Sequence, residues 1–195
     1  MPREKTYTSA QLADRAFQHF WFEGYNASSM DDLVKATAVS RHGIYSEFGG
    51  KKNLFLACFD RYQDLIVSPA IAPVESPDAT IADIAAYFET QIALAEELGL
   101  PGPGCFVANA LTEMAPHDAD VLARVQAHND RLRRGFRTAI QNSARTDENF
   151  ELNETTEALL TFATGLWSMS RISTDAAALM GAVASYLTTL ERRLS

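Results

Sequence analysis

Ser40-Arg41-His42-Gly43, Tyr45 and the pair Lys51-Lys52 stand close together near the start of the chain. Hydroxyls, a guanidinium, an imidazole and two ammonium groups are hydrogen-bond donors, and donors at this density suit phosphate oxygens and base edges. Arg41 can take a guanine edge or a phosphate. Gly43 lets its helix approach a duplex closely. Tyr45 can offer its hydroxyl to a phosphate or pack on Phe48, and both can hold at once. Lys51 and Lys52 open a helix, where the dipole disfavours positive charge by about 0.3–1 kcal/mol each. A phosphate clamped by free backbone amides and a lysine explains them there, with two solvated surface lysines as the alternative. Ser28 and Ser29 complete the candidate DNA-contacting set.

Other chemistry finds no such cluster. Gly50-Lys51 resembles a phosphate loop only superficially, because Tyr45 takes the first glycine position and Lys52 replaces the required Ser or Thr. No zinc-protease, dinucleotide or serine-hydrolase motif occurs, and His19, His42, His117 and His128 are scattered. The expectation is a chain that is not an enzyme, with no catalytic residue, metal or cofactor. Cys58 and Cys105 lie far apart, so no disulfide framework is expected. Cys105 follows Pro101-Gly102-Pro103-Gly104 and opens a helix, where a thiolate would be stabilised. It is either a thiol sensor or a small buried residue.

The elements that position these residues read as helices throughout, with no strand-like alternation. Thr8 with Gln11 makes a capping box for a first helix that Gly24 stops. Ser28 or Ser29 caps a second short helix, and Ser40 caps a third. Ser28–Leu54 therefore reads as a helix-turn-helix, whose second helix enters the major groove while the first crosses the backbone. A fourth helix runs over 51–67. The prolines 69, 73 and 77 predict a loop over 68–78, and Thr80 with Asp83 opens a fifth helix. Further helices are expected over 105–115, 118–142, 154–170 and 175–194, with a polar loop over 144–153. The domains are 1–50, a helix-turn-helix head, and 51–195, a larger helical body with helix 51–67 connecting.

Charge is uneven. The net charge is -8, yet residues 1–60 hold seven basic and seven acidic side chains, and every lysine lies within the first 52 positions. A neutral, lysine-bearing head on an acidic body suits an anionic partner. The start of the chain has no apolar signal region, and the charge-free run 176–187 is too short to span a bilayer, so the expected location is cytoplasmic.

Residues 12–60 resemble the DNA-binding domain of the TetR family of transcriptional regulators. The resemblance rests on Ala16, Phe20, Gly24-Tyr25, Ser28-Ser29-Met30 and Leu33-Val34-Lys35-Ala36. The most specific run is Val39-Ser40-Arg41-His42-Gly43-Ile44-Tyr45, followed by Phe48, Lys51 and Leu54. Two positions depart from the pattern: Thr37-Ala38 replaces Ala-Gly in the turn, and Gly43 replaces a Thr or Ser, which removes one expected base or phosphate contact.

The resemblance implies an all-α, nine-helix protein and a homodimer. It would be released as a repressor from a palindromic double-stranded DNA operator by a small organic effector. The Gly104-Cys105 pair is similar to that of family members that sense electrophiles. An effector pocket is expected among helices four to eight, from Tyr62, Tyr87, Phe88, Gln91, Cys105, Phe106, Asn109, Glu113, Phe162 and Trp167. The stripe Leu179, Val183, Leu187, Leu190 and Leu194 on the last helix, beside the small residues Ala178, Gly181, Ala182 and Ser185 that permit close helix approach, and Leu159, Leu160, Phe162, Leu166 and Trp167 on the helix before it, are expected to form a four-helix dimer interface, with closure of the monomer core as the alternative.

Overall fold

The computed structural model describes residues 7–144 and 151–194, and every regular element among them is helical. The helices are α1 (Ser9–Glu23), α2 (Met30–Thr37), α3 (Arg41–Phe48) and α4, which begins as Lys51–Tyr62. There follow α5 (Ile81–Leu98), α6 (Phe106–Glu113), α7 (Ala119–Ser143), α8 (Leu152–Met169) and α9 (Ala176–Leu194). Of the polar loop expected over 144–153, residues 145–150 lie outside the described residues.

Three helix starts rest on reciprocal capping boxes: Thr8 with Gln11 and Thr80 with Asp83, both read in the sequence, and Ser29 with Asp32, where only a serine cap was expected. Ser29, not Ser28, is the cap of α2. The turn into α3 contains Ala38 at φ 56°, a left-handed conformation that costs a residue with a Cβ about 1–2 kcal/mol.

The fourth helix is longer than expected. It runs through a π-helical turn, Gln63–Val67, into a further helical turn, Ser68–Ile71. Pro69 was expected to end the helix. A proline within a helix lacks a donor and its ring collides with the carbonyl four residues back. Here the chain widens just before it, with Ser68 N–H bonding the Gln63 carbonyl one residue further back than usual. The rod thus absorbs the proline, and the chain turns away only after Ile71.

α1, α2 and α3 bury Leu12, Ala16, Phe20, Leu33, Val39 and Ile44 as a head against α4. α5, α7, α8 and α9 form the body around Ile84, Phe88, Val125, Phe136, Leu159 and Leu187. The two cores are continuous through Phe55, Phe59 and Phe106.

Candidate nucleic-acid interface and internal cavity

On α3, Arg41, His42 and Tyr45 are exposed, and Tyr45 shows 49 % of its surface. Ser40 accepts from Gly43 N–H at 3.1 Å, so its hydroxyl serves as the helix cap. Arg41 reaches Asp31 on α2 at 2.9 Å, an ion pair in which both side chains are more than half exposed. Ser29 is exposed and caps α2. Ser28 is not on this surface: it is fully buried, and its hydroxyl donates to the Gly24 carbonyl at 2.6 Å.

The two lysines at the start of α4 have protein partners. Lys51 Nζ donates to the carbonyls of Tyr25 and Ser28, both at 2.7 Å, and lies 4.0 Å from the centre of the Tyr25 ring. Burial lowers its pKa. Lys52 Nζ sits 2.7 Å from both Asp118 and Asp120 at the start of α7, and these carboxylates raise its pKa. The helix-start charge that pointed to a phosphate is therefore met by carbonyls within the head and by acids of the body.

The helix α6 bridges head and body at both of its ends. Beyond its start, the Gly104 carbonyl accepts from Trp21 Nε1 of α1 at 2.8 Å. At its end, Glu113 accepts from the backbone N–H groups of Tyr25 and Asn26, at 3.0 and 2.6 Å. A carboxylate thus closes two backbone donors of the α1–α2 turn while Lys51 closes two carbonyls of the same turn. Between these ends Phe106 stacks on Phe55 and Tyr62 and meets Phe59 edge to face.

A cavity of about 40 Å³ lies beside this bridge, lined in part by Trp21, Tyr62, Tyr87, Gln91, Gly104, Cys105, His128 and Trp167. Five of the ten predicted pocket residues line it: Tyr62, Tyr87, Gln91, Cys105 and Trp167. The other five are elsewhere. Phe88 is fully buried against Phe136, Phe162 and Trp167. Phe106 and Glu113 belong to the bridge. Asn109 donates its side-chain amide to the Pro103 carbonyl at 2.8 Å. Phe162 stacks on Tyr186 of α9, with ring centres 4.2 Å apart.

Sequence reasoning missed Trp21, Gly104 and His128. His128 had a signal, for it continues the inward row Val121, Val125, Leu132 at helical spacing. Gly104 adjoins the predicted Cys105, whereas Trp21, on α1, is distant in sequence and had none.

Every titratable group of this wall is held neutral at pH 7. Burial raises the pKa of Tyr62, Tyr87 and Cys105 and lowers that of His128 to about 4. Burial disfavours the thiolate expected at Cys105 and outweighs the Tyr62 hydroxyl and the amides of Ala108 and Val107, which favour it. Tyr87 meets Trp167 edge to face.

Residues 12–58 match the sequence model described as bacterial regulatory proteins, tetR family, and residues 80–186 match that of the tetracyclin repressor-like C-terminal domain. The chain belongs to the TetR family. It is a DNA-binding transcriptional regulator of that family. It is 31 % identical over 119 residues to the HTH-type transcriptional repressor ComR of Escherichia coli (strain K12). That match takes in 61 % of this chain and spans 57 % of ComR, less than two thirds of its length. The fold is also that of a TetR transcriptional regulator from Chloroflexus aurantiacus, at TM-score 0.78, 23 % identity and 92 % coverage of both chains. It is likewise that of a cysteine mutant of the TetR-family regulator CifR complexed with 26 bp operator DNA. There the TM-score is 0.78 at 21 % identity, covering 95 % of this chain and 98 % of that one.

Two features of this TetR-family chain differ from expectation or limit it. The stripe Leu179, Val183, Leu187, Leu190 and Leu194 is buried within the single chain, where α9 packs on α5, so it is not available to a second subunit. The small residues Ala178, Gly181, Ala182 and Ser185 are the ones that face outward. Among the described residues, no helix is long and apolar enough to cross a membrane.

Proposed function

We propose that this regulator is a homodimeric repressor released from a palindromic operator by a small, uncharged organic effector. Residues 1–50 read DNA, and 51–195 bind the effector and dimerise. The carrying observation is that Trp21, a residue of the head, both lines the cavity and hydrogen-bonds Gly104 of the body. The cavity is far below the roughly 300–1,000 Å³ of a ligand pocket. An effector must therefore push its walls apart, and one of those walls is α1. A ligand that binds the spread arrangement better than the DNA-binding one weakens DNA binding by that same factor.

Among the described residues, the lining carries no Lys, Arg, Asp or Glu side chain, and its Tyr, Cys and His groups are neutral. A charged ligand would be buried there without a counter-charge, at a cost of several kcal/mol. An uncharged aromatic compound instead finds Trp21, Tyr62, Tyr87 and Trp167 as apolar walls.

For the dimer, the groove between α8 and α9, lined by Thr155, Phe162, Ala182, Ser185, Tyr186 and Thr189, offers small and aromatic side chains to the same groove of a second copy. Two heads on a two-fold axis then meet two half-sites.

The test begins with the duplex that the protein selects from a random-sequence pool. Uncharged and charged aromatic compounds are screened by quenching of tryptophan fluorescence and by loss of the selected duplex. Glu113→Gln should keep quenching by an active compound but blunt the loss of DNA. Release by compounds that leave tryptophan fluorescence unchanged, or release undiminished in this variant, would overturn the reading. Sedimentation of Ala182→Arg should show a monomer where the wild type is a dimer.

A further inference from the structure

Gly43 leaves a hole on the recognition helix, and another part of the chain fills it. A Cβ placed on Gly43 would lie 2.5 Å from the Tyr7 hydroxyl and 2.7 Å from Val39 Cγ1. The Tyr7 hydroxyl thus stands where a side chain at position 43 would project. Ser9, two residues on, hydrogen-bonds Glu47. Positions 43 and 47 are one helical turn apart, so the start of α1 runs along one edge of α3.

That edge borders the exposed face. Arg41, His42, Tyr45 and Ser46 are exposed, Ile44 is buried, and Gly43 is half-buried between them. When a helix lies in the major groove, side chains at the centre of its outer face reach base edges. Those along its edges meet the phosphates of the groove wall. A hydroxyl serves this purpose, since it donates to a phosphate oxygen without carrying charge.

We propose that Tyr7 supplies the phosphate contact that Gly43 cannot, with its hydroxyl donating to a backbone phosphate at the wall of the groove occupied by α3. The residue acts from outside the helix-turn-helix, and Gly43 is what makes room for it. The proposal rests on α3 entering the major groove.

Tyr7→Phe keeps the ring and removes only the hydroxyl. With the duplex that the wild-type protein selects from a random pool, affinity should fall about five-fold, the size of one hydrogen bond. The fall should be equal on a scrambled duplex, because a phosphate contact carries no sequence information. The salt dependence should be unchanged, because no ionic contact is lost. Gly43→Ala, whose Cβ displaces the hydroxyl, should weaken binding in wild type but add little in the Tyr7→Phe background.

Ethylation interference separates a contact from a folding effect: one phosphate should interfere with wild-type binding and cease to do so with Tyr7→Phe. Unchanged affinity on the selected duplex, or an identical interference pattern in both proteins, would overturn the proposal. So would a loss confined to the selected duplex, which would mean a base contact. Because the wild type must first select a duplex, a failure at Tyr7 is distinct from a failure of DNA reading by α3.

Discussion

The outer and inner sides of the head use the same residue types in opposite ways. On the outer side Arg41 and Asp31 pair in the open, each more than half exposed. Such a pair contributes little to stability and exchanges readily for another partner. On the inner side Lys51, Glu113 and Trp21 each hold a backbone group, in part-buried contacts for Lys51 and Trp21. Removing one of these leaves a backbone group without its partner, a larger cost than losing a surface pair. The outer side is open to an exchange of partners, and the inner side fixes the head on the body.

The largest effect that would break this contrast lies where head and body share a core. Phe106 is 2 % exposed and touches Phe17, Phe55, Phe59 and Tyr62. Phe106→Ala should cost about 3–5 kcal/mol in a denaturant titration and let head and body unfold in separate transitions. A loss below about 1 kcal/mol would mean that the bridge is not where the two parts are joined.

Next in size is the pH response of the cavity wall. His128 is 7 % exposed, and burial lowers its pKa to about 4, with Arg131 opposing its charge in the same direction. Its other close partner is Gln63, from the π-helical turn of α4. As pH falls through the unfolded value near 6.5, the unfolded chain takes up a proton that the folded chain refuses until about 4. Stability should therefore be full above that window and fall by roughly 3 kcal/mol across it. In His128→Gln the part of the acid slope between pH 6.5 and 4 should be lost; an unchanged slope would assign it to carboxylates.

How legible these sides were differs for physical reasons. Capping residues are local, so Thr8, the pair Ser28-Ser29 and Thr80 announced their helices, and the exposed face of α3 could be read from a few adjacent residues. The inner side depends on neighbours far apart in sequence. Lys51 looked misplaced at a helix start because the carbonyls of Tyr25 and Ser28 that receive it come from an earlier turn. Ser28 and Ser29 are equivalent as letters, and only packing sends one inward. Half of the predicted pocket residues were aromatic or polar side chains that the bridge and the core use instead. Pro69 was read as a breaker because the π-helical turn that accommodates it has no sequence marker.

A smaller effect sharpens the comparison within the head itself. Ala38 holds φ 56° between α2 and α3. Ala38→Gly relieves the left-handed strain but adds freedom to the unfolded chain, so the net gain should be about 0.5–1 kcal/mol. Arg15 donates to the neighbouring Thr37 carbonyl at 2.9 Å and keeps the turn in place. Operator affinity should therefore change little. A destabilised variant would show that Ala38 is not strained.

The smallest effect on stability should come from the outer pair, and there the readout is DNA. Asp31→Asn removes the charge facing Arg41 and keeps the size of the side chain. Asp31 is not the cap of α2, since Ser29 and Asp32 make that box, so the helix start survives. The midpoint of thermal unfolding should stay within about a degree or two, as expected for an exposed pair. Arg41 must leave Asp31 before it can donate both of its nitrogens to a guanine or a phosphate, and in the variant that step is absent. Affinity for the selected duplex should rise a few-fold, with the larger gain at low salt, where the carboxylate also repels the duplex most strongly. If Arg41 reads a base, the gain is specific to the selected duplex; if it holds a phosphate, scrambled DNA gains equally. Weaker binding by Asp31→Asn would mean that the carboxylate orients Arg41 for DNA, and the outer side would then be as preorganised as the inner one.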